Sequence, residues 1–134
     1  MNTLKNRKGF TLIEIVIVLA IAALIMVVVF IAVQGAQRGQ RDQSRKDLAN
    51  RAVAKTQEYR GNNNGTAPLA AQLAAYFSAG DLPTIGGTVG SVTVATAPLS
   101  CAAATTQAIV ATGSPDVGYI CLEAGGGTQL YKTN

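Results

Sequence analysis

Between Ile15 and Val33 the chain carries no polar side chain. The run is about 19 residues, or roughly 28 Å of α-helix at 1.5 Å per residue, and matches the hydrocarbon thickness of a bilayer. The rest of a 134-residue chain is too small to cover every face of such a helix, so a place inside the protein's own core is excluded. Nor does the run read as a cleavable secretory signal. It is too long, and "QGAQRGQRDQ" follows it where a turn with a small-residue cleavage site would stand. A membrane-length helix near the N-terminus, joined to one modest domain, is the frame within which the remaining residues must fold.

That helix distorts the overall composition. The hydrophobic share of 49% and the charged share of 13% are shifted by the apolar run and by many alanines, and they do not indicate a large core. The net charge of +4 is also local. Lys5, Arg7 and Lys8 precede the run, and every other basic residue except Lys132 lies between Arg38 and Arg60. From Gly61 onward the charged residues are Asp81, Asp116, Glu123 and Lys132, so the distal part is slightly acidic. Direct nucleic-acid binding gains no support, because the positive charge belongs to leader and stalk and few aromatics are present for stacking. Arg38, Arg41, Arg45 and Lys46 follow the apolar run closely, so the positive-inside rule by itself leaves orientation open. There is no histidine, no phosphate-binding loop and no close carboxylate pair. The groups for acid–base catalysis are therefore not assembled in a motif, and the reading is a non-enzyme without cofactor or metal.

Gln34 to Arg60 continues the helix with a different character. Asp42 with Lys46, and Asp47 with Arg51, stand four apart with the acid on the N-terminal side, the favourable order for helical ion pairs. Leu48, Ala49, Ala52, Val53, Thr56 and Tyr59 recur at helical spacing and give this half one mildly apolar face. Gly35 and Gly39 are its weak points, each costing about 1 kcal/mol relative to alanine. "GNNNG", Gly61 to Gly65, predicts the stop, since glycine and asparagine tolerate left-handed backbone angles. "TAPLAAQLAAYFSAGD" predicts a short helix that begins at Thr66 or Pro68 and ends at Gly80, with Leu69, Leu73, Tyr76 and Phe77 on its apolar side.

The period then changes. Thr88–Thr96, Gln107–Thr112, Gly118–Leu122 and Thr128–Lys132 are short runs rich in β-branched and aromatic residues. "GSPDV" and "EAGGG" between the last three suit hairpin turns, so a small antiparallel sheet with one face on the Gln34–Arg60 helix is expected. Cys101 and Cys121 are the only cysteines. An even count beyond a membrane segment, with no histidine to complete a zinc site, favours a disulfide between them over two buried thiols in a reducing cytosol. Such a bond would stabilise the domain by roughly 3 kcal/mol in the chain-entropy model.

Glu14 is the anomaly of the apolar segment. Read with its neighbours, "KGFTLIE" from Lys8 to Glu14, after a basic leader and before an apolar helix with an amphipathic extension, resembles the start of a type IV pilin precursor. The local motif is specific, and the cysteine pair and general layout extend the resemblance over the chain. It implies an α+β fold: a long N-terminal helix, apolar then amphipathic, packed on a small C-terminal antiparallel sheet. The corresponding parts are a leader over 1–9, the apolar half of the helix over 10–33 and its amphipathic half over 34–60. A loop region with a short helix follows over 61–87, and the sheet with its disulfide over 88–134.

The resemblance further implies cleavage between Gly9 and Phe10 by a membrane aspartyl prepilin peptidase and methylation of the new Phe10 amine. Glu14 would then meet the Phe10 amine of a neighbouring subunit during assembly. The implied partners are other pilin subunits, the peptidase and an assembly platform, and the implied locations are the inner membrane before assembly and an extracellular pilus afterwards. Attachment, twitching motility and DNA uptake are tasks of such filaments. Many relatives carry a glycine and a proline inside the apolar helix, where this chain has Ala23 and Ile31. A pseudopilin of a type II secretion machine shares leader and helix. It often binds calcium, for which the spread of Asp81, Asp116 and Glu123 is unsuited. A membrane-anchored binding module that keeps its leader is the reading from another class.

Overall fold

The computed structural model describes residues 9–78, 80–95, 101–113, 115–123 and 128–133. The chain forms two compact units, Met1–Ala36 and Gln37–Asn134. Helix α1 (Leu12–Asn62) contributes to both, running as α-helix through Gly35 and Gly39. In the first unit its apolar side chains from Leu12 to Val33 are all exposed, and the helix is long and apolar enough to cross a membrane.

In the second unit the later part of α1 has a buried stripe made by Arg45, Leu48, Ala49, Ala52, Val53 and Thr56, at the expected spacing. The hydroxyl of Thr56 is fully buried and donates to Ala52 O at 2.8 Å, which satisfies it within the helix. Tyr59 packs edge-to-face on Tyr76, with ring centroids 5.3 Å apart. The helix stops at Asn62, where Asn64 (φ 52°) and Gly65 (φ 81°) take left-handed angles as the asparagine–glycine run predicts.

The second helix, α2 (Ala70–Ala75), is shorter than expected at both ends. Pro68 is buried ahead of it, and Gln72 Oε1 accepts the Leu69 N–H at 2.8 Å, which fixes the start two residues beyond that proline. Leu73 enters the core and Phe77 packs at its margin, but Leu69 is 70% exposed and lies off the apolar side assigned to it.

Two short strands, β1 (Thr84–Ile85) and β2 (Thr88–Val89), form an antiparallel hairpin around Gly86 and Gly87, both at positive φ. The main sheet has the order β3-β4-β5-β6, with β3 (Ser91–Val94), β4 (Gln107–Ala111), β5 (Val117–Leu122) and β6 (Gln129–Lys132). β4–β5 and β5–β6 are antiparallel as expected, whereas β3–β4 is parallel, in the register Val92↔Ala108 and Val94↔Val110. The run expected as one strand from Thr88 is divided at Gly90. A Cβ there would lie 2.8 Å from Leu48 Cδ2, and the Gly90 N–H bonds Pro83 O rather than the sheet. The turn sequence "EAGGG" lies, after Glu123, outside the described residues.

The core joins Leu48, Ala49 and Ala52 of α1 to Leu73, Ile85, Ala108, Val110, Ile120 and Leu122. Helix and sheet come close together at Gly118 on β5. A Cβ there would stand 2.8 Å from Ala49 O and 2.9 Å from Val53 Cγ2. The strand end is locked to the same glycine, since Thr133 N donates to Gly118 O and Gly118 N donates to Thr133 Oγ1, each at 2.9 Å. Cys101 and Cys121 are joined by a disulfide that closes the connection before β4 onto β5.

Candidate functional site

The segment that opens the described chain is non-helical from Gly9 to Thr11 and becomes α1 at Leu12. Gly9 has no atom within 4 Å of where a Cβ would stand, and Phe10 is 85% exposed. The Gly9–Phe10 peptide bond thus lies in open, irregular backbone immediately before a rigid helix. A backbone in that state can be drawn out into a protease cleft, whereas one inside a helix must first lose its hydrogen bonds.

Glu14 has a partner within the chain, and it is Thr11. Thr11 N–H and Thr11 Oγ1–H both donate to Glu14 Oε2, each at 2.8 Å, and Glu14 N–H donates back to Thr11 Oγ1 at 3.3 Å. This is a reciprocal capping box, with Thr11 at the N-cap and Glu14 three residues on. It satisfies two backbone donors that the first turn of a helix leaves orphaned. Sequence reasoning gave Glu14 a partner only in trans and passed over Thr11. The signal was present as Thr-x-x-Glu ahead of an apolar run. Both cis bonds use Oε2, so the second oxygen, Oε1, stays uncommitted among the described residues.

A second polar constellation lies at the end of β5. The side chain of Arg45 is only 5% exposed and spreads its donors over three acceptors. Nε reaches Thr105 O at 3.0 Å, Nη1 reaches Asp42 Oδ1 at 2.8 Å, and Nη2 reaches Glu123 Oε1 at 2.9 Å. Arg41 Nη2 donates to the other Glu123 oxygen at 2.8 Å, and Glu123 N–H donates to Asp42 Oδ1 at 2.8 Å. Hydrogen bonding from Arg41 first, then Arg45, holds the Glu123 carboxyl below its ordinary pKa, and the same contact raises Arg41. Asp42 therefore pairs with Arg45 and not with Lys46. An arginine fork reaches carbonyl and carboxylates together, which a lysine ammonium cannot do from one position. Lys46 instead lies over the Tyr131 ring, 5.7 Å from its centroid. The pair Asp47–Arg51 forms as expected, at 2.8 Å.

At the far end of α1, Arg60 Nη2 donates to the buried Asp116 carboxylate at 2.8 Å and Arg60 Nη1 donates to Gly65 O at 2.9 Å. These networks fasten helix to sheet. Among the described residues no group of three His, Cys, Asp or Glu side chains is placed to hold a metal ion. An open groove on α1, lined by Ile25, Met26, Val29, Phe30 and Val33, is almost entirely apolar and its side chains carry no ionisable group.

Residues 4–30 match the family described as the prokaryotic N-terminal methylation motif. That motif is characteristic of the class III signal peptides of type IV pilins and pseudopilins, and this chain carries it. The match spans the basic leader, the Gly9–Phe10 junction, the capping box and most of the apolar run. Beyond it, a long helix, apolar then amphipathic, with a small C-terminal sheet is consistent with the type IV pilin fold. No curated protein and no solved structure matches the chain significantly.

Proposed function

We propose that the protein is the structural subunit of a type IV pilus, held in the membrane as a precursor and polymerised through α1 once its leader is removed. The observation that carries this reading is the methylation motif over residues 4–30, which spans an exposed Gly9–Phe10 bond and a first turn bearing Glu14. A prepilin peptidase cuts between Gly9 and Phe10, and the freed Phe10 amine is methylated. The role is structural and non-enzymatic. Its partners are further copies of the chain and the membrane assembly platform, and the mature subunit passes from the inner membrane to an extracellular filament.

In this reading Glu14 Oε1 accepts the Phe10 amine of a neighbouring subunit, while Oε2 remains on Thr11. Opposite charges about 4 Å apart attract by roughly 4 kcal/mol at an effective dielectric of 20. Insertion scales put a carboxylate at the centre of a membrane helix at about 2.5–3.5 kcal/mol, an upper bound for one in the first turn, so the pairing is large enough to offset it. A pilin is preferred to a calcium-binding pseudopilin because Asp116 and Glu123 are already committed to arginines and Asp81 to the Ser78 N–H.

Two variants test the reading. Gly9→Val accumulates leader-bearing protein in the membrane, read by the mass of the purified chain; normal mature product from this variant overturns the assigned cut. Glu14→Gln is processed and inserted normally but yields little protein in the fraction sheared from cells. Wild-type amounts there defeat the assembly role of the carboxylate.

A further inference from the structure

Asn64 and Gly65 form the tip of the turn that ends α1, and Asn64 is exposed. Asparagine followed by glycine is the most reactive setting for intramolecular imide formation, because no side chain on the following residue hinders approach of its nitrogen. Here the place a Gly65 Cβ would occupy has nothing within 4 Å. The residue holding this peptide is Arg60, from two directions. Gly65 N–H donates to the Arg60 backbone carbonyl at 2.8 Å, and Arg60 Nη1 donates to Gly65 O at 2.9 Å. The guanidinium is itself fixed, since Nη2 reaches Gly113 O at 3.2 Å and Asp116 Oδ1 at 2.8 Å. Asp116 is buried, and the same oxygen accepts Gly113 N–H at 3.0 Å.

We propose that Asn64 is a site of spontaneous deamidation and that the Arg60–Asp116 clasp is the guard that keeps it slow in the folded protein. In the reaction the backbone nitrogen of Gly65 attacks Asn64 Cγ. The new C–N bond closes a five-membered imide, the Cγ–Nδ2 bond breaks, and ammonia leaves with the proton released by the Gly65 N–H. Water then adds to one of the two imide carbonyls and opens the ring to aspartate or isoaspartate. The first step requires the Gly65 nitrogen to lose its proton and to swing toward Cγ, and the bond to Arg60 O opposes both. The chemistry therefore proceeds through the fraction of molecules whose turn has opened, and the rate follows that local equilibrium. Once formed, isoaspartate inserts a methylene into the main chain of the turn and destroys the register of both Gly65 bonds, so the clasp does not reclose in its original form.

The full-length protein, in detergent micelles, is incubated in native buffer and in guanidinium chloride. The peptide containing Asn64 is then followed by mass, with chromatographic separation of the aspartyl and isoaspartyl products. Deamidation in the native state is expected to be slower than in the unfolded state by on the order of tenfold or more, the opening penalty for two local hydrogen bonds. Asp116→Asn and, separately, Arg60→Lys, each checked for native circular dichroism and an intact Cys101–Cys121 bond, should raise the native rate part of the way to the unfolded one, because the Gly65 N–H bond to the Arg60 carbonyl is kept. Asn64→Gln should abolish the product. Equal rates in native and unfolded wild-type protein overturn the proposal, whether or not either clasp variant folds. A folded clasp variant that deamidates at the wild-type rate overturns the assignment of the guard to Arg60 and Asp116.

Discussion

Thr11 and Glu14 recast a carboxylate at the edge of a greasy helix as part of a local device before it is part of an intermolecular one. Thr11 Oγ1 accepts from the Glu14 backbone N–H and donates to its carboxylate, so one hydroxyl serves both halves of the box. Thr11→Val keeps the shape and removes both functions. Loss of an N-cap costs about 0.5–2 kcal/mol in water, and apolar surroundings provide no substitute acceptor. We expect the Glu14 amide of Thr11→Val in micelles to exchange its hydrogen about tenfold faster than in wild type, given a cap loss near 1.4 kcal/mol. Thr11→Ser should restore slow exchange, and unchanged exchange in the valine variant would remove the box as a stabilising element. At this scale the sequence displayed every residue needed. Glu14 drew attention as an isolated anomaly, whereas its meaning depends on a partner three positions earlier.

Among the elements, α1 was the most legible. Its length, the change of character near residue 34, its buried stripe and its stop at the asparagine–glycine run all follow from periodicity and local backbone preference. The strands were legible as strands but not in their arrangement. β3 and β4 pair in parallel, and no local residue choice in either strand announces that direction. Likewise the division at Gly90 reflects the Leu48 side chain pressing against that position, a contact more than forty positions away in sequence. Gly118 shows the same dependence on a distant partner. Gly118→Ala forces a methyl into Ala49 O and Val53 Cγ2, and overpacking of that kind costs about 1–3 kcal/mol. The thermal midpoint of the variant should fall by several degrees, and a midpoint within one degree of wild type would mean that helix and sheet separate there without penalty.

For the whole molecule, the way the domain beyond Gln37 holds together makes its stability depend on pH in a definite direction. Glu123 titrates below its ordinary value of 4.5 because Arg41 and Arg45 hold it ionised. A group with a depressed folded pKa contributes stability that is complete above the unfolded value and is lost as pH falls through the folded one. Chemical denaturation should therefore show a stability plateau above pH 4.5 and a decline below it. Glu123→Gln should lower the plateau by roughly 2 kcal/mol, since Arg45 is left buried with one acceptor fewer, and should flatten the decline. An unaltered acid limb in Glu123→Gln would assign the pH dependence to other carboxylates. Neither this network nor the Arg60 clasp was visible in the sequence. The charge pattern displayed only neighbours along one helix, and two of the acids, Asp116 and Glu123, come from the ends of β5.

All seven Asp and Glu side chains accept at least one hydrogen bond within the chain: Glu14 from Thr11, Asp42 and Glu123 from arginines of α1, Asp47 from Arg51, Glu58 from Lys55, Asp81 from the Ser78 amide, and Asp116 from Arg60. Arg38 and Lys132 make no ion pair among the described residues, and Lys46 has only the Tyr131 ring. Asp81 is bonded by a neutral amide and Glu14 by a neutral threonine, so unmatched charges of both signs remain: these two acids beside Arg38, Lys46 and Lys132. Between copies of the chain such charges act over a range near 8 Å at physiological ionic strength, and added salt shortens that range.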